Sequence, residues 1–146
     1  MEAILIPSAS PATRARAAGA ALWTGRVLGA LVTLFLLVDA GGKILELRPY
    51  MEGTAKAGFP LGTVLPMGLV LLACTVLYAV PRTALLGAVL LTAYLGGATA
   101  THVRLEQAYV FPVVFGVLVW VSLYLRSAHA REVIRSALGI AGTNAR

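Results

Sequence analysis

The chain has 146 residues, of which 59% are hydrophobic and only 12% charged, with a formal net charge of +6 and a mean hydropathy of +0.85. A soluble domain carries about 25% charged residues and about 45–50% apolar ones, so an ordinary soluble core is excluded. The basic excess calls for no nucleic-acid partner, because arginines beside anionic lipids account for it, and the single cysteine, Cys74, excludes an intrachain disulfide framework, a CxxC pair or a cysteine metal cage.

In chain order, residues 1–21 contain Pro7 and Pro11 and place Arg14 and Arg16 immediately before the first apolar stretch. That order is not the order of a secretory signal, and the segment reads as a disordered basic tail ahead of an uncleaved first helix. A span follows over residues 22–46, its apolar run Leu22 to Gly42 interrupted by Arg26 near the start and Asp39 near the end. In the next stretch, "RPYMEGTAKAGFP", Pro49 marks a helix start, Gly58 a stop and Pro60 a position beyond it. This predicts a short surface helix near residues 50–57, lying over one end of a bundle.

Two further spans, residues 61–80 and 83–104, are joined only by Pro81 and Arg82 and must be antiparallel neighbours. The last span covers residues 108–126. Each run approaches the roughly 20 residues that cross a hydrocarbon layer about 30 Å thick, and in lipid the backbone must satisfy its own hydrogen bonds, so these are helices. In residues 127–146, Ala130, Val133, Ile134, Ala137, Leu138 and Ala141 recur at helical spacing against Arg131 and Arg135. That tail is read as either an amphipathic interfacial helix or a frayed basic end.

The expected fold is an all-α membrane protein with a bundle of four transmembrane helices. With the amino terminus inside, Arg14, Arg16, Arg26, Arg82, Arg126, Arg131, Arg135 and Arg146 fall on the cytoplasmic side, and Lys43, Arg48, Lys56 and Arg104 on the other. Eight against four predicts both termini cytoplasmic.

The first helix ends in "LLVDAGGKILE". At 100° per residue Lys43 lies about 40° from Asp39 and Glu46 about 20° the other way, so all three share one face with Asp39 deepest. The third span runs the same way and ends in "YLGGATATHVRLEQ", which brings His102 and Arg104 to the same membrane level. Tyr94, Ala98, Thr101 and Leu105 form one stripe of that helix, with His102 about 80° to one side and Arg104 about as far to the other. His102 and Arg104 therefore cannot both face the bundle centre on an ideal helix. Gly96, Gly97, Ala98 and Ala100 predict a close helix contact, as does the GxxxG pair Gly25 and Gly29.

An intramembrane carboxylate costs at least roughly 2.5–3.5 kcal/mol to bury and is a functional candidate by default; the competing reading is a structural i,i+4 ion pair with Lys43. An imidazole can carry protons near neutrality. Asp39, Lys43 and His102 are thus the expected reacting groups, and Glu46, Tyr94, Thr101 and Arg104 the expected ligand-binding neighbours. No two-histidine spacing supports a metal site, and no phosphate loop or nucleophile motif occurs.

"WTGRVLGALVTLFLLVDAGGK", "AKAGFP", "LYAVPRTALLGAVLLTAYLGGATATHVR" and "FPVVFGVLVWVSLYLR" occur in an order, and with loop lengths, that resemble a DoxX-like small membrane protein over roughly Trp23 to Arg126. The resemblance implies a four-helix bundle in a bacterial inner membrane. The wider DoxX and DoxD group is associated with thiosulfate oxidation coupled to quinone and with membrane complexes handling thiol or oxidative stress. On this analogy Asp39, Lys43, His102 and Arg104 would be the polar site.

The leading expectation is a protein that binds a small organic or quinone-like molecule, with acid/base or redox chemistry drawn from a bound quinone, because the residues encode no redox centre. A non-catalytic membrane anchor or assembly subunit of an oxidoreductase is the alternative, resting on the basic tail and the GxxxG face. A small-solute carrier, formed as a homo-oligomer, is a third.

Overall fold

The computed structural model describes residues 10–139. They form six α-helices: α1 (Pro11–Ile44), α2 (Arg48–Lys56), α3 (Val64–Ala79), α4 (Ala84–Arg104), α5 (Val110–Arg126) and α6 (Ala128–Ala137). A 3-10 turn, Leu61–Thr63, precedes α3. Among the described residues there is no strand.

α1 is longer than its apolar run. Ser10 caps it, its side chain accepting from the Thr13 N–H, and a proline occupies the first turn. Ala15, Ala17, Ala18, Ala20 and Ala21 then carry a favourable helical propensity. The part of the expected disordered tail that falls in residues 11–21 is therefore helical, and residues 1–9 lie outside the described residues. At 34 residues the helix is about 51 Å long. It stops at Ile44, two residues short of Glu46, which adopts a left-handed backbone with φ 49°.

α2 begins with a proline in its first turn and gives way to Gly58 at φ 77°, where a residue without Cβ is favoured. α3 ends because Pro81 follows: Val80 is extended, as residues before proline tend to be. The Thr83 hydroxyl donates to the Leu77 carbonyl at 2.8 Å and tightens the turn. In the described part of the carboxy-terminal segment, residues 128–137 are helical, with Ser127 accepting from the Ala130 N–H; residues 140–146 lie outside the described residues.

The long helices pack in a ring. α1 and α4 each lie against both α3 and α5, so α1 faces α4 across the centre. Neighbours are antiparallel: the first half of α1 meets the end of α5 at Gly25, where a Cβ would stand 2.6 Å from Leu125 Cβ, and the start of α4 meets the end of α3 at Gly87, where it would stand 2.2 Å from the Tyr78 backbone nitrogen. Trp120 of α5 donates to the Thr92 hydroxyl of α4 at 2.8 Å.

The end of the bundle that holds the α3–α4 turn is filled. Tyr78 is fully buried there with Leu71, Leu91, Val119 and Leu123. Its hydroxyl donates to the Val119 carbonyl at 3.1 Å and is hydrogen-bonded to the Ser122 hydroxyl, crossing from α3 to α5. Arg126 lies over the Tyr78 ring, 4.6 Å from its centroid, and donates to the Tyr78 carbonyl at 2.8 Å. The outer faces carry Leu31, Leu34, Val38, Leu69, Val76, Leu86, Val89 and Val117, all exposed. α1, α4 and the α3 segment with its 3-10 turn are each long and apolar enough to cross a membrane; α5, at 17 residues, counts as a span only together with α6, which leaves it at a 112° bend.

Gly87→Ala should lower the thermal midpoint in detergent, because the new methyl meets backbone and the overpacking costs about 1–3 kcal/mol. Gly96→Ala, whose Cβ meets nothing within 4 Å, should leave the midpoint unchanged. Equal midpoints for the two variants would contradict the close α3–α4 approach.

Candidate functional site

At the opposite end the helices part around a cavity of 880 Å³. Its walls come from α1, α3, α4 and α5, and α2 with the segment after it lies across the top. Asp39 and Lys43 enter from α1; Tyr94, Thr101 and His102 enter from α4 on the facing wall.

Asp39 and Lys43 are four residues apart, one turn of α1, and Lys43 Nζ donates to Asp39 Oδ2 at 2.5 Å. Their side chains are 25% and 17% exposed. The ammonium also lies 5.2 Å from the centroid of the Tyr50 ring, a cation–π arrangement supplied by α2. Two of the three ammonium donors remain for a ligand oxygen, since one is directed at Asp39.

His102 Nδ1 lies 2.8 Å from the Ala98 carbonyl. A carbonyl can only accept, so Nδ1 carries the proton, and in the neutral ring Nε2 is left as an acceptor. Thr101 donates its hydroxyl to the Gly97 carbonyl at 2.9 Å and keeps acceptor capacity. The wall between α1 and α5 is aromatic: Phe35, Phe111 and Phe115 pack with centroids 4.3 to 5.3 Å apart, and all three line the cavity.

Two of the expected ligand-binding residues are elsewhere. Glu46 is exposed and beyond the helix end; helical periodicity cannot be extended through a left-handed residue, so it does not share the Asp39 face. Arg104 is not part of the lining. It donates to the Ala57 carbonyl, lies 5.8 Å from the Phe59 ring centroid and so ties α4 to the end of α2. Its rotation away from His102 on α4 gives the physical reason.

The small residues also differ from expectation. A Cβ at Gly96 or Gly97 meets nothing within 4 Å, so these positions make no close helix contact within the chain, and Gly97 instead borders the cavity. Gly25 and Gly29 pack internally against Leu125, Arg126 and Ser122 of α5. Sequence reasoning did not single out Tyr50, the phenylalanine wall or Gln107 as lining residues; Tyr50 was findable, because a helix lying over the charged end must present one face to it.

Among the described residues no group of three His, Cys, Asp or Glu side chains could hold a metal ion. The arrangement can offer a cation, a neutral-ring acceptor and an apolar, aromatic enclosure to one molecule. A family model described as the DoxX-like family matches residues 27–122. No curated protein and no solved structure matches the chain.

Lys43→Met leaves the Asp39 carboxylate half-buried without its cation and should lower the thermal midpoint more than the Asp39→Asn/Lys43→Met double variant does. The double-mutant cycle should return a coupling of about 0.5–3 kcal/mol. Strictly additive single effects would show that the two groups are only near one another.

Proposed function

The chain belongs to the DoxX-like family and is a multi-pass membrane protein, and from that premise we propose that it binds a small amphiphilic molecule, of the quinone or hydroquinone class, in the cavity between α1 and α4. The observation that carries this reading is the composition of one wall against another: an ion pair on α1 and an imidazole on α4 line the same cavity, and the remaining lining is mostly apolar or aromatic.

The residues fit such a ring. Ligand cavities run from about 300 to 1,000 Å³ and use a few polar groups to fix orientation, and 880 Å³ lies within that range. A ring oxygen can accept from Lys43, held in place by Asp39, while a ring hydroxyl can donate to His102 Nε2. Phe35, Phe111 and Phe115 offer faces and edges for stacking. When bound, a quinone supplies the two-electron chemistry that no side chain here possesses. The role of the chain is then to orient the ring, to stabilise negative charge on oxygen through the Lys43 ammonium and to take up or return a proton at His102 Nε2.

The route into the cavity supports a lipid-soluble ligand. Val70, Ala93, Gly97 and Phe111 line it and are exposed, and they lie on helices α3, α4 and α5 at the level of the apolar spans, so a lipid-soluble molecule could reach them between the helices. By the distribution of basic residues the cavity end is extracytoplasmic and both termini are cytoplasmic, in a bacterial inner membrane. The anchor reading loses its GxxxG surface, since Gly25 and Gly29 are occupied within the chain. Within one chain the carrier reading has no path through the bundle, since beyond the cavity Leu71, Tyr78, Leu91 and Leu123 fill it, and a path would have to run between copies of a homo-oligomer.

Titration of a short-chain benzoquinone into the purified protein should show saturable binding. His102→Ala should weaken it by roughly tenfold, the loss of one good polar contact, and Asp39→Asn by a similar factor through the Lys43 ammonium it no longer holds in place. Unchanged binding in both variants removes the site. Deletion of Ser127 to Arg146 should leave binding intact; loss of a co-purifying oxidoreductase on that deletion, with no quinone binding by the intact chain, would favour the anchor reading. A fluorescent reporter fused to the carboxy terminus should fluoresce in cells, as a cytoplasmic terminus requires, and a dark fusion would reverse the orientation.

A further inference from the structure

A second cavity, of 540 Å³, lies at the other end of the bundle and has no part in the site above. It forms because α1 projects past its partner. α5 ends against Gly25, so the first turns of α1 stand beyond it, and the 112° bend into α6 opens a groove beside them. One wall is Ala18, Gly19 and Ala21; Leu22 and Leu125 are apolar; Tyr124 of α5 and Arg131 and Arg135 of α6 complete the lining.

The two arginines are one turn apart and share a face of α6. Arg131 is fixed in place: its Nη1 donates to the carbonyls of Tyr124 and Leu125, both at 3.0 Å, which satisfies the end of α5 and leaves its other nitrogens without a protein acceptor among the described residues. Arg135 is exposed and makes no side-chain hydrogen bond among the described residues. The ion pairs among those residues are Asp39–Lys43 and Arg48–Glu52, both in other parts of the molecule. Among the described residues the groove therefore carries positive charge with no carboxylate in its lining, and the exposed Glu132, next to Arg131 in sequence, forms no ion pair with either arginine.

We propose that this groove binds one anionic phospholipid, its phosphodiester held by Arg131 and Arg135 and an acyl chain laid along Leu22 and Leu125. Guanidinium groups suit phosphate oxygens because their N–H donors match the acceptor geometry. The apolar part of the groove excludes a bare anion as the best occupant. α6 has the form of an interfacial helix: Val133 and Leu138 are exposed on its apolar arc, and the arginines flank that arc, which sets the charges at headgroup depth. The lipid would fasten α6 to α1 across a gap the protein leaves open.

The test uses the full chain purified in a neutral detergent, with native mass spectrometry after adding phosphatidylglycerol, phosphatidylcholine or inorganic phosphate. One phosphatidylglycerol should be retained at concentrations where phosphatidylcholine is not. Arg135→Gln should lower its retention about fivefold. Gly19→Trp, whose side chain starts in space with nothing within 4 Å, should fill the groove and abolish retention with an unchanged thermal midpoint. Equal retention of the two lipids overturns the proposal, as does phosphatidylglycerol retention unaffected by Gly19→Trp. Displacement of the lipid by millimolar inorganic phosphate would also overturn it, by showing an anion site in which the acyl groove has no part.

Discussion

The buried hydroxyl of Tyr78 sets the shape of the bundle. In a hydrocarbon layer no water can take up a polar group, and one left without a partner costs several kcal/mol. Tyr78 answers this by reaching from α3 to the Val119 carbonyl and Ser122 hydroxyl of α5, two helices on opposite corners of the ring. A link across the diagonal holds all four helices at that end, because α1 and α4 are wedged between the two it joins. Arg126 adds a second fastening from α5 to the last turn of α3.

The cavity end is built the other way. Lys43 pairs with Asp39 on its own helix, His102 with the Ala98 carbonyl on its own helix, and Thr101 with Gly97 on its own helix. None of these bonds crosses from α1 to α4. Separating the two walls therefore breaks no hydrogen bond and strands no charge, which is why charged groups can line an open space so far into an apolar chain. The same economy explains the mixture of readings that Asp39 and Lys43 allowed: an i,i+4 ion pair is structurally sufficient by itself, and its direction toward a shared cavity is what adds a chemical role to the proposal.

Hydropathy made the long helices legible, since lipid-facing and core-facing positions are alike apolar and the spans stand out from their flanks. Their ends were less so. The start of α1 is set by a serine cap and an alanine-rich segment, signals independent of hydropathy, and its finish by a left-handed Glu46 that no periodicity announces. Glu46 was accordingly projected onto a face it never reaches. Arg104 illustrates a different limit: the ideal-helix angle showed that it and His102 could not both face inward, but only the position of α2 decides which is diverted, because the Ala57 carbonyl waits on the Arg104 side. Gly25 and Gly29 matched a pattern for helix contact and do make one, within the chain; Gly96 and Gly97 matched it equally and meet nothing within the chain. Small residues permit an approach without specifying it.

α2 then ties the two facing walls of the cavity together. It is secured at both ends, by Tyr50 packed on Gly42 so closely that a Cβ there would have no room, and by Arg104 of α4 holding the carbonyl at Ala57. A cover pinned to α1 at one end and to α4 at the other lies across the cavity while bridging the two helices that no hydrogen bond joins below it. Between the helices the lining also reaches Gly97, Val70 and Phe111, all exposed. On the proposed reading, a ligand that entered between the helices would come from the bilayer, with its polar head toward Lys43 and His102. The mostly apolar and aromatic lining around those few polar groups is what makes a molecule with an apolar body and an oxygen-bearing ring a better match for the proposal than a bare anion.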